Sequence, residues 1–305
     1  LSTESDDIQE NKVNLAHILE SATTSLLLLG EHRRHCIFVI LACLAAPVSA
    51  QDNPGTAGIS EGTGDATSLA KASQNPLAAM VTLPLQFNFN SGVGPYDREL
   101  FNLNVQPVVP ISGEKWNLIV RPIIPINSVP QGPTDSTFGL GDTMLQLFVT
   151  PANPGRMTWG IGPVFSLPTA SNQEVLGSGK WGAGAGAVLF YQVGNWTMGG
   201  LISNVWSVAG DSHREDFDYM TLQYFVNYNF GGGWALGSSP VITADWKADS
   251  DERWTIPWGL QVSKVTRIAS QPVNLLLGYY RNSEHPTGGP ESQVRFQINF
   301  MFPTR

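Results

Sequence analysis

A strict alternation of apolar and polar residues near the end of the chain constrains the fold most. Residues 292–302 place Val294, Phe296, Ile298, Phe300 and Phe302 on one side and polar residues on the other. Successive side chains of a strand point to opposite faces, so this stretch has one apolar face and one hydrated face. The apolar face suits the core of a soluble β-sandwich or the lipid-facing wall of a transmembrane barrel. The rest of the chain must decide between the two.

The same alternation recurs throughout the chain, in twelve segments of about ten residues each. The segments are residues 81–90, 100–111, 116–126, 139–150, 157–167, 180–193, 196–208, 219–230, 234–247, 254–264, 273–281 and 293–302. An even number of strands is typical of single-chain bacterial barrels, and about ten residues suffice for one tilted crossing of a bilayer. We therefore predict an all-β fold, a transmembrane antiparallel β-barrel of the bacterial outer membrane with about 12 strands.

The connections between the segments alternate in length. Those after even-numbered segments are short, such as Gly194-Asn195 and residues 231–233, whereas those after odd-numbered segments are mostly longer and more acidic. Outer-membrane barrels have short periplasmic turns and longer outer loops. A soluble sandwich gives no reason for such alternation, so the loops favour the barrel.

Two segments contain prolines that a regular strand should not hold. Residues 105–111 and 120–126 are near-copies, with Pro107 and Pro110 in the first and Pro122 and Pro125 in the second. Proline has no N–H to donate to a neighbouring strand. We therefore expect β-bulges or lost pairings at these positions.

Composition agrees with a barrel and excludes some partners. Of 305 residues only 14% are charged, 31 are glycine, and the formal net charge is −8. No apolar run is long enough to cross a bilayer as a helix. Binding of nucleic acid needs clustered Lys and Arg, so a net negative chain argues against it.

The N-terminal region has the pattern of an export signal. Residues 31–50 combine a basic start, an apolar run and a small-residue cleavage site, which predicts a signal peptide cut after Ala50. A short buried helix is the alternative interpretation, and Cys43 raises that of a lipoprotein. Residues 1–30 are interpreted as an over-extended gene start. Both cysteines lie within the signal, so the exported chain has no disulfide or thiol chemistry.

Two further regions complete the predicted organisation. Residues 51–79, rich in Gly, Ser, Thr and Ala, are predicted to be a flexible periplasmic arm or a partial plug. Within them, residues 66–73 suit a short helix, with a linker favoured over a plug. Residues 80–305 form the predicted barrel.

Several short motifs resemble a known family. They are Ala70-Lys71-Ala72-Ser73-Gln74-Asn75-Pro76-Leu77-Ala78, the paired proline segments, Phe138-Gly139-Leu140-Gly141-Asp142, Trp159-Gly160-Ile161-Gly162-Pro163, Leu167-Pro168-Thr169-Ala170, Trp206-Ser207-Val208-Ala209-Gly210 and Pro240-Val241-Ile242-Thr243-Ala244-Asp245-Trp246. Together they resemble the outer-membrane transporter family linked to the phenol meta-degradation pathway, often labelled "transporter" or "neuromedin U". The resemblance covers nearly all of residues 70–302. It implies an outer-membrane β-barrel and supplies no catalytic residues.

If the apolar faces meet lipid, the opposite faces line a lumen. The candidate lumen-lining residues are Gln106, Arg121, Asp142, Gln146, Gln223, Asn227, Asp245, Lys247, Gln261, Arg295, Gln297 and Asn299. Charges inside a barrel are tolerated when they are hydrated or paired, so we expect Arg121 and Arg295 to face Asp142 and Asp245. Two interpretations remain open: salt bridges that rigidify a filled barrel, or a selectivity lining for a small solute.

Catalysis is the main rival function. Asp211-Ser212-His213 and Ser283-Glu284-His285 bring the residue types of a hydrolase together, but adjacent residues point apart and a triad needs partners from separate elements. We therefore predict no enzyme, with no catalytic residues, no metal site and no cofactor. The acidic outer loops are interpreted as hydrated surfaces, bridged to lipopolysaccharide by divalent cations.

The functional prediction is a porin-like outer-membrane channel or transporter of a Gram-negative bacterium. It would serve passive uptake of small molecules, with hydrophobic or aromatic ones among the candidates. The alternative is a non-transporting structural or binding barrel, followed by a barrel hydrolase. The predicted partners are outer-membrane lipid, lipopolysaccharide, the barrel assembly machinery through the C-terminal strand, and a small-molecule solute.

Overall fold

The computed structural model describes residues 63–78, 80–153, 155–268 and 271–302. The predicted signal peptide and the residues before it lie outside this part of the chain. The described elements are the helix α1 (Thr63–Ser73) and the strands β1 (Val81–Val93), β2 (Arg98–Val105), β3 (Val109–Ile111), β4 (Trp116–Gln131), β5 (Asp135–Leu140), β6 (Thr143–Pro151), β7 (Met157–Leu167), β8 (Lys180–Val193), β9 (Trp196–Gly210), β10 (Asp218–Gly231), β11 (Trp234–Ser238), β12 (Val241–Asp245), β13 (Trp254–Ile268), β14 (Gln271–Glu284) and β15 (Ser292–Phe302).

The strands form one closed antiparallel barrel of twelve staves, a stave being one crossing of the wall. Three staves consist of two strands each: β2 with β3, β5 with β6, and β11 with β12. Each stave pairs with the next along the chain, and β15 pairs with β1 to close the ring. The predicted fold class and the twelve segments are confirmed.

The closing seam shows why the alternating sequence selects this fold. Val81 lies opposite Phe302, and Phe87 lies opposite Phe296 with their ring centroids 6.0 Å apart. The outward pairs from Val81–Phe302 to Phe89–Val294 are all apolar, and the pair Ser91–Ser292 at the far end of the seam is polar. The inward pairs join two polar residues, except that Asn299 lies opposite Pro84 and Met301 lies opposite Thr82. A slip of one residue would turn the apolar set inward, so the pattern itself fixes the register.

Aromatic side chains line the outside near both ends of the barrel. The rings of Trp116 and Trp159 meet edge to face at 5.9 Å, and those of Trp246 and Trp254 meet at 5.4 Å. Such belts are typical of the membrane–water interfaces. Tyr280 is not part of these belts, because its side chain points inward against Arg295 and is only 1% exposed.

The proline segments disturb the wall as expected. In the first copy the stave is interrupted, because β2 ends at Val105 and β3 begins at Val109. In the second copy β4 is continuous, but its residues 121–123 have no paired partner on the neighbouring stave formed by β2 and β3. The last pair of β2 with β4 is Val105–Ile124, and the first pair of β3 with β4 is Val109–Val120. The predicted loss of pairing is therefore present on both sides of this boundary.

The two ends of the barrel differ. Residues 194–195 and 232–233 make short turns at the end where β1 begins and β15 ends, which we call the terminal end. The short connection from β6 to β7 lies at the same end. Longer connections, including residues 168–179, 246–253 and 285–291, lie at the opposite end, the loop end. Among the described helices none has the length and hydropathy needed to span a membrane.

Candidate functional site

A polar cavity of about 150 Å³ lies inside the barrel, next to the segment that precedes β1. Its wall comes from inward-facing side chains of many staves, and residues 73–78 contribute one side of it. The charged side chains among the described lining residues are Arg121 and Arg295; no carboxylate is among them. The cavity is therefore electropositive.

Arg121 lies on the inner face of β4, beside the unpaired stretch of the wall. Its Nη2 donates to Gln106 Oε1 at 2.7 Å, and its Nη1 donates to Gln146 Oε1 at 2.9 Å. Both acceptors are neutral amides, so they orient the guanidinium without cancelling its charge. Gln146 is almost fully buried and does not itself line the cavity, but it accepts the hydrogen bond from Arg121.

Arg295 lies on β15 and is 4% exposed. Its Nη1 donates to the carbonyl of Ser239 at 2.9 Å, its Nη2 to Gln293 Oε1 at 2.9 Å, and its Nε to Asn88 Oδ1 at 3.3 Å. The guanidinium carbon also lies 4.8 Å from the ring centroid of Tyr280. All of these partners are neutral as well.

The expected pairing of the two arginines with Asp142 and Asp245 is wrong. Asp142 accepts hydrogen bonds from the backbone N–H of Ala170 and Ser178 in the outer loop 168–179, at 3.1 and 2.7 Å. Asp245 accepts from the backbone N–H of its neighbour Lys247 at 3.0 Å. Asp142 lies in the break between β5 and β6, and Asp245 is the last residue of β12. Backbone N–H groups of nearby loops satisfy both carboxylates.

Of the twelve predicted lumen residues, eight line the cavity, three lie elsewhere, and Gln146 contacts Arg121 without lining the cavity itself. The cavity brings together Gln106, Arg121, Gln223, Asn227, Gln261, Arg295, Gln297 and Asn299. The remaining charged residues contact outer loops instead: Asp142, in the break between β5 and β6, binds the loop of residues 168–179, while Asp245 ends β12 and Lys247 follows it. Alternation alone does not show where a strand stops, which is why these three were included.

The segment before β1 supplies cavity residues that sequence reasoning missed. Leu77 is buried among Val108, Ile119, Phe148, Val188 and Leu201 of the inner wall. Gln74 Nε2 donates to Asn229 Oδ1 at 3.0 Å, and the Thr197 hydroxyl donates to Gln74 Oε1. Lys71 Nζ donates to the carbonyl of Gly194 at 2.9 Å, in a turn of the terminal end. The sequence signals for this segment were the family resemblance of residues 70–78 and the alternative of a partial plug, neither of which named a residue as part of the cavity.

Ser239 and Tyr280 were also missed as inner-wall residues. The Tyr280 hydroxyl donates to Gln261 Oε1 at 2.7 Å, and Ser239 Oγ donates to the same oxygen at 2.7 Å. Gln261 Nε2 in turn donates to Asn227 Oδ1 at 3.1 Å. Strand parity identifies Tyr280, since alternation places it on the same face as Asn274 and Leu276.

The histidines of the two candidate hydrolase stretches contact residues close to them in the chain, whereas Ser283 Oγ donates to the carbonyl of Ile256 at 2.9 Å. His213 lies on the surface, and its backbone N–H donates to Asp211 Oδ1 at 2.9 Å. This bond, followed by that of the imidazole, holds the pKa of Asp211 below its usual value. The Nδ1 of His285 lies 3.0 Å from the carbonyl of the adjacent Pro286. Each histidine thus has its partner within two residues of itself.

The acidic outer loops form pairwise contacts. Lys180 Nζ donates to Asp216 Oδ1 at 2.8 Å, which lowers the pKa of Asp216 together with a hydrogen bond from Ser207. The hydroxyl of Thr287 donates to Glu252, and with the Thr287 backbone N–H it lowers the pKa of Glu252. In the described part of the chain no three His, Cys, Asp or Glu side chains are grouped to hold a metal ion.

Comparisons with known proteins agree with this architecture. A family model described as "Putative MetA-pathway of phenol degradation" matches residues 84–285. The comparison with curated proteins finds no match.

Among solved structures, an outer membrane channel from Pseudomonas putida F1 is similar, with a TM-score of 0.56 and 14% sequence identity over 73% of this chain and 96% of that chain. The NanC porin aligns with a TM-score of 0.46 and 10% identity, over 73% of this chain and all (100%) of that one. Outer membrane phospholipase A from Escherichia coli aligns with a TM-score of 0.43 and 11% identity, over 72% and 96% of the two chains.

The family match spans about two thirds of the sequence. The channel from Pseudomonas putida shares the barrel fold, and the closed twelve-stave wall with its outward apolar faces is that of an outer-membrane protein. The chain therefore belongs to the family described as "Putative MetA-pathway of phenol degradation", and it is a β-barrel of the bacterial outer membrane.

Proposed function

We propose that this barrel is a passive channel for small organic anions. The observation that carries the proposal is the electropositive cavity: Arg121 and Arg295 line it, their protein partners are neutral, and the described lining residues include no carboxylate. A cation held away from water is costly without a counter-charge. An anion in the cavity supplies that charge.

The hydrogen-bonding capacity of the arginines favours a carboxylate. A guanidinium group has five N–H donors in a planar fork that matches a carboxylate. Arg295 directs three hydrogen bonds to the protein, and Arg121 directs two. By the contacts in the described residues, each arginine retains donors for a solute.

The rest of the wall favours a solute with an apolar body. Leu201, Phe225 and Leu276 line the cavity beside the polar groups. A cavity of about 150 Å³ has room for a single aromatic ring, since an engineered cavity of that volume in another protein binds benzene. Small aromatic carboxylates combine both properties, and we infer that they are preferred over neutral analogues.

We further propose that the segment of residues 63–78 is a plug at the periplasmic side. The segment contacts the inner wall at the terminal end through Lys71, Gln74 and Leu77. Short turns mark the periplasmic end of outer-membrane barrels. A solute that has reached the arginines passes into the periplasm when this segment moves.

Transport is proposed to be passive and without chemistry. The outer-loop histidines have partners close to them in the chain, and the polar side chains that line the cavity are amides, hydroxyls and guanidinium groups. Such groups bind and orient solutes. The partners proposed for the folded chain are lipid, lipopolysaccharide at the acidic loops, and the assembly machinery that reads β15.

Planar-bilayer recording tests the channel. In a KCl gradient, the reversal potential of the purified barrel should show preference for chloride, and benzoate should carry current where a bulkier anion does not. Relative to protein-free liposomes, the barrel should accelerate swelling in benzoate more than swelling in benzyl alcohol, the uncharged counterpart, which crosses lipid unaided. A preference for potassium over chloride contradicts the proposal. The absence of both conductance and swelling also contradicts it and supports a non-transporting barrel.

A further inference from the structure

Two boundaries of the barrel wall lose their strand pairing, and each has a proline on either side. Between β2–β3 and β4 these prolines are Pro107 and Pro122. Between β11–β12 and β13 they are Pro240 and Pro257, because the pairing stops at Gly237–Gln261 and resumes only at Thr243–Thr255. Proline cannot donate to a ladder, so regular pairing cannot continue through these stretches.

A lumen arginine lies at each interruption. Arg121 donates to Gln106, the residue that follows the end of β2. Arg295 donates to the carbonyl of Ser239, the residue that follows the end of β11. The interruptions therefore supply the acceptors that hold the two cations of the cavity.

The second interruption is stabilised from the inside by Tyr280. The backbone N–H of Ser239 donates to the Tyr280 hydroxyl at 3.3 Å, while the hydroxyl donates to Gln261 Oε1 at 2.7 Å. Backbone groups that lose their strand partner in a membrane-spanning wall need another. Tyr280 thus replaces one missing ladder partner of Ser239, and Arg295 replaces the other.

The Tyr280 ring also contacts the cation directly. Arg295 lies over the ring, with its guanidinium carbon 4.8 Å from the centroid, a cation–π arrangement. Gly278 makes room for the ring, since a Cβ at that position would lie 3.0 Å from Tyr280 Cε2. Ring and hydroxyl together fix both Arg295 and the carbonyl that Arg295 binds.

We propose that Tyr280 is the positioning residue that sets the anion preference of the channel. It is not among the residues that line the cavity, so it acts on solutes through Arg295 and Ser239. This inference rests on the proposed channel function. Tyr280→Phe keeps the ring and removes the hydroxyl, whereas Tyr280→Leu removes both.

Reversal potentials of these variants test the role. Relative to the parent barrel, the chloride-to-potassium permeability ratio should fall about twofold in Tyr280→Phe. In Tyr280→Leu it should approach the ratio of Arg295→Gln. Tyr279→Phe is the matched control, because Tyr279 is 55% exposed on the outer face of the same strand, and its ratio should not change. Heat-dependent gel mobility shows which variants are folded.

A double variant separates positioning from a general structural effect. In the Arg295→Gln background, Tyr280→Phe should leave the permeability ratio unchanged, since its effect passes through Arg295. An equal drop in both backgrounds, or a folded Tyr280→Phe barrel with the parental ratio, overturns the role of Tyr280 alone. A parent barrel without current or without anion preference overturns the channel proposal and this inference with it.

Discussion

The side chain of Leu77 lies against Gly160, where a methyl group on the glycine would approach Leu77 Cδ2 to 3.1 Å. Leu77 belongs to the segment before β1, and Gly160 to the inner face of β7. A strand position without a side chain thus admits an apolar residue from outside the sheet. This contact is the central anchor of the proposed plug.

Removal of that anchor should open the channel more often. Leu77 is 4% exposed, and Leu→Ala at a buried site costs about 2–5 kcal/mol. We expect Leu77→Ala to increase the open probability in planar bilayers while the barrel stays folded. Leu189→Ala is the control, because Leu189 is 45% exposed on the outer face. Equal open probabilities for the two variants would argue against a plug.

Overpacking at the same contact should act in the same direction. Gly160→Ala places a methyl group 3.1 Å from Leu77 and 3.2 Å from Val188 Cγ1. Overpacking of this kind costs about 1–3 kcal/mol. Open probability should rise in this variant, and adding Leu77→Ala, which relieves the clash, should give an effect smaller than the sum of the two. Strictly additive effects would show that the two residues do not act through one contact.

Neutralising a lumen arginine should weaken anion preference. Arg121→Gln removes one of the two cavity cations while the amide retains some hydrogen bonding. We expect the chloride-to-potassium permeability ratio to fall about threefold or more. Arg281→Gln makes the same chemical change at an exposed position of β14 and should have a much smaller effect. Similar losses in both variants would indicate that overall charge, and not the cavity, sets the preference.

Asp142 should hold the long outer loop in place. Its Oδ2 accepts from both the backbone N–H and the hydroxyl of Ser178, at 2.7 and 2.8 Å. Asp142→Ala leaves these donors without their acceptor, at a cost of about 1–3 kcal/mol each where they stay buried. Amide hydrogen exchange at Ser178 should accelerate in this variant, and Glu174→Ala, in the same loop but exposed, should not change it. Unchanged exchange would show that Asp142 is dispensable for the loop.

Acid should release the contact between two outer loops. The pKa of Glu252 is lowered from 4.5 by hydrogen bonds from Thr287, so the contact stabilises the fold fully above the unfolded value near 4.5. Its contribution is lost as the pH falls from there through the folded pKa. The NMR chemical shift of the Thr287 amide should therefore change as the pH falls, with a midpoint below 4.5, the ordinary pKa of a glutamate. Glu252→Gln should abolish that transition, and a transition that survives would belong to another group.

The barrel wall could be predicted from the sequence because every outward-facing residue is exposed to the same apolar lipid. Phe296 and Phe302 lie in apolar surroundings whichever residues fill the lumen. The alternation of polar and apolar residues and the lengths of the turns therefore suffice to identify twelve staves. Arg295, as an inward residue of β15, follows from the same parity. These conclusions depend on period and polarity, which a single sequence displays.

The inner contacts depend on distances between staves that no local pattern encodes. Arg121 and Asp142 both follow the alternation, yet Asp142 lies in the break between β5 and β6 and binds the loop that connects β7 and β8. Arg295 meets Ser239, 56 residues earlier, only because the stave of β11 and β12 is interrupted there. The ion pairs predicted from strand alternation are therefore absent for both arginines, and each guanidinium group donates to neutral amide or carbonyl oxygens instead.

The attachment of α1 and Leu77 to β1 has a kinetic consequence. The segment is covalently joined to the stave that closes the barrel, and Met80 at the junction packs against Met301. Re-entry after displacement is therefore an intramolecular event, with an effective concentration in the millimolar range for a short tether. Closure by this segment should follow first-order kinetics, independent of how many barrels the membrane holds and resistant to dilution.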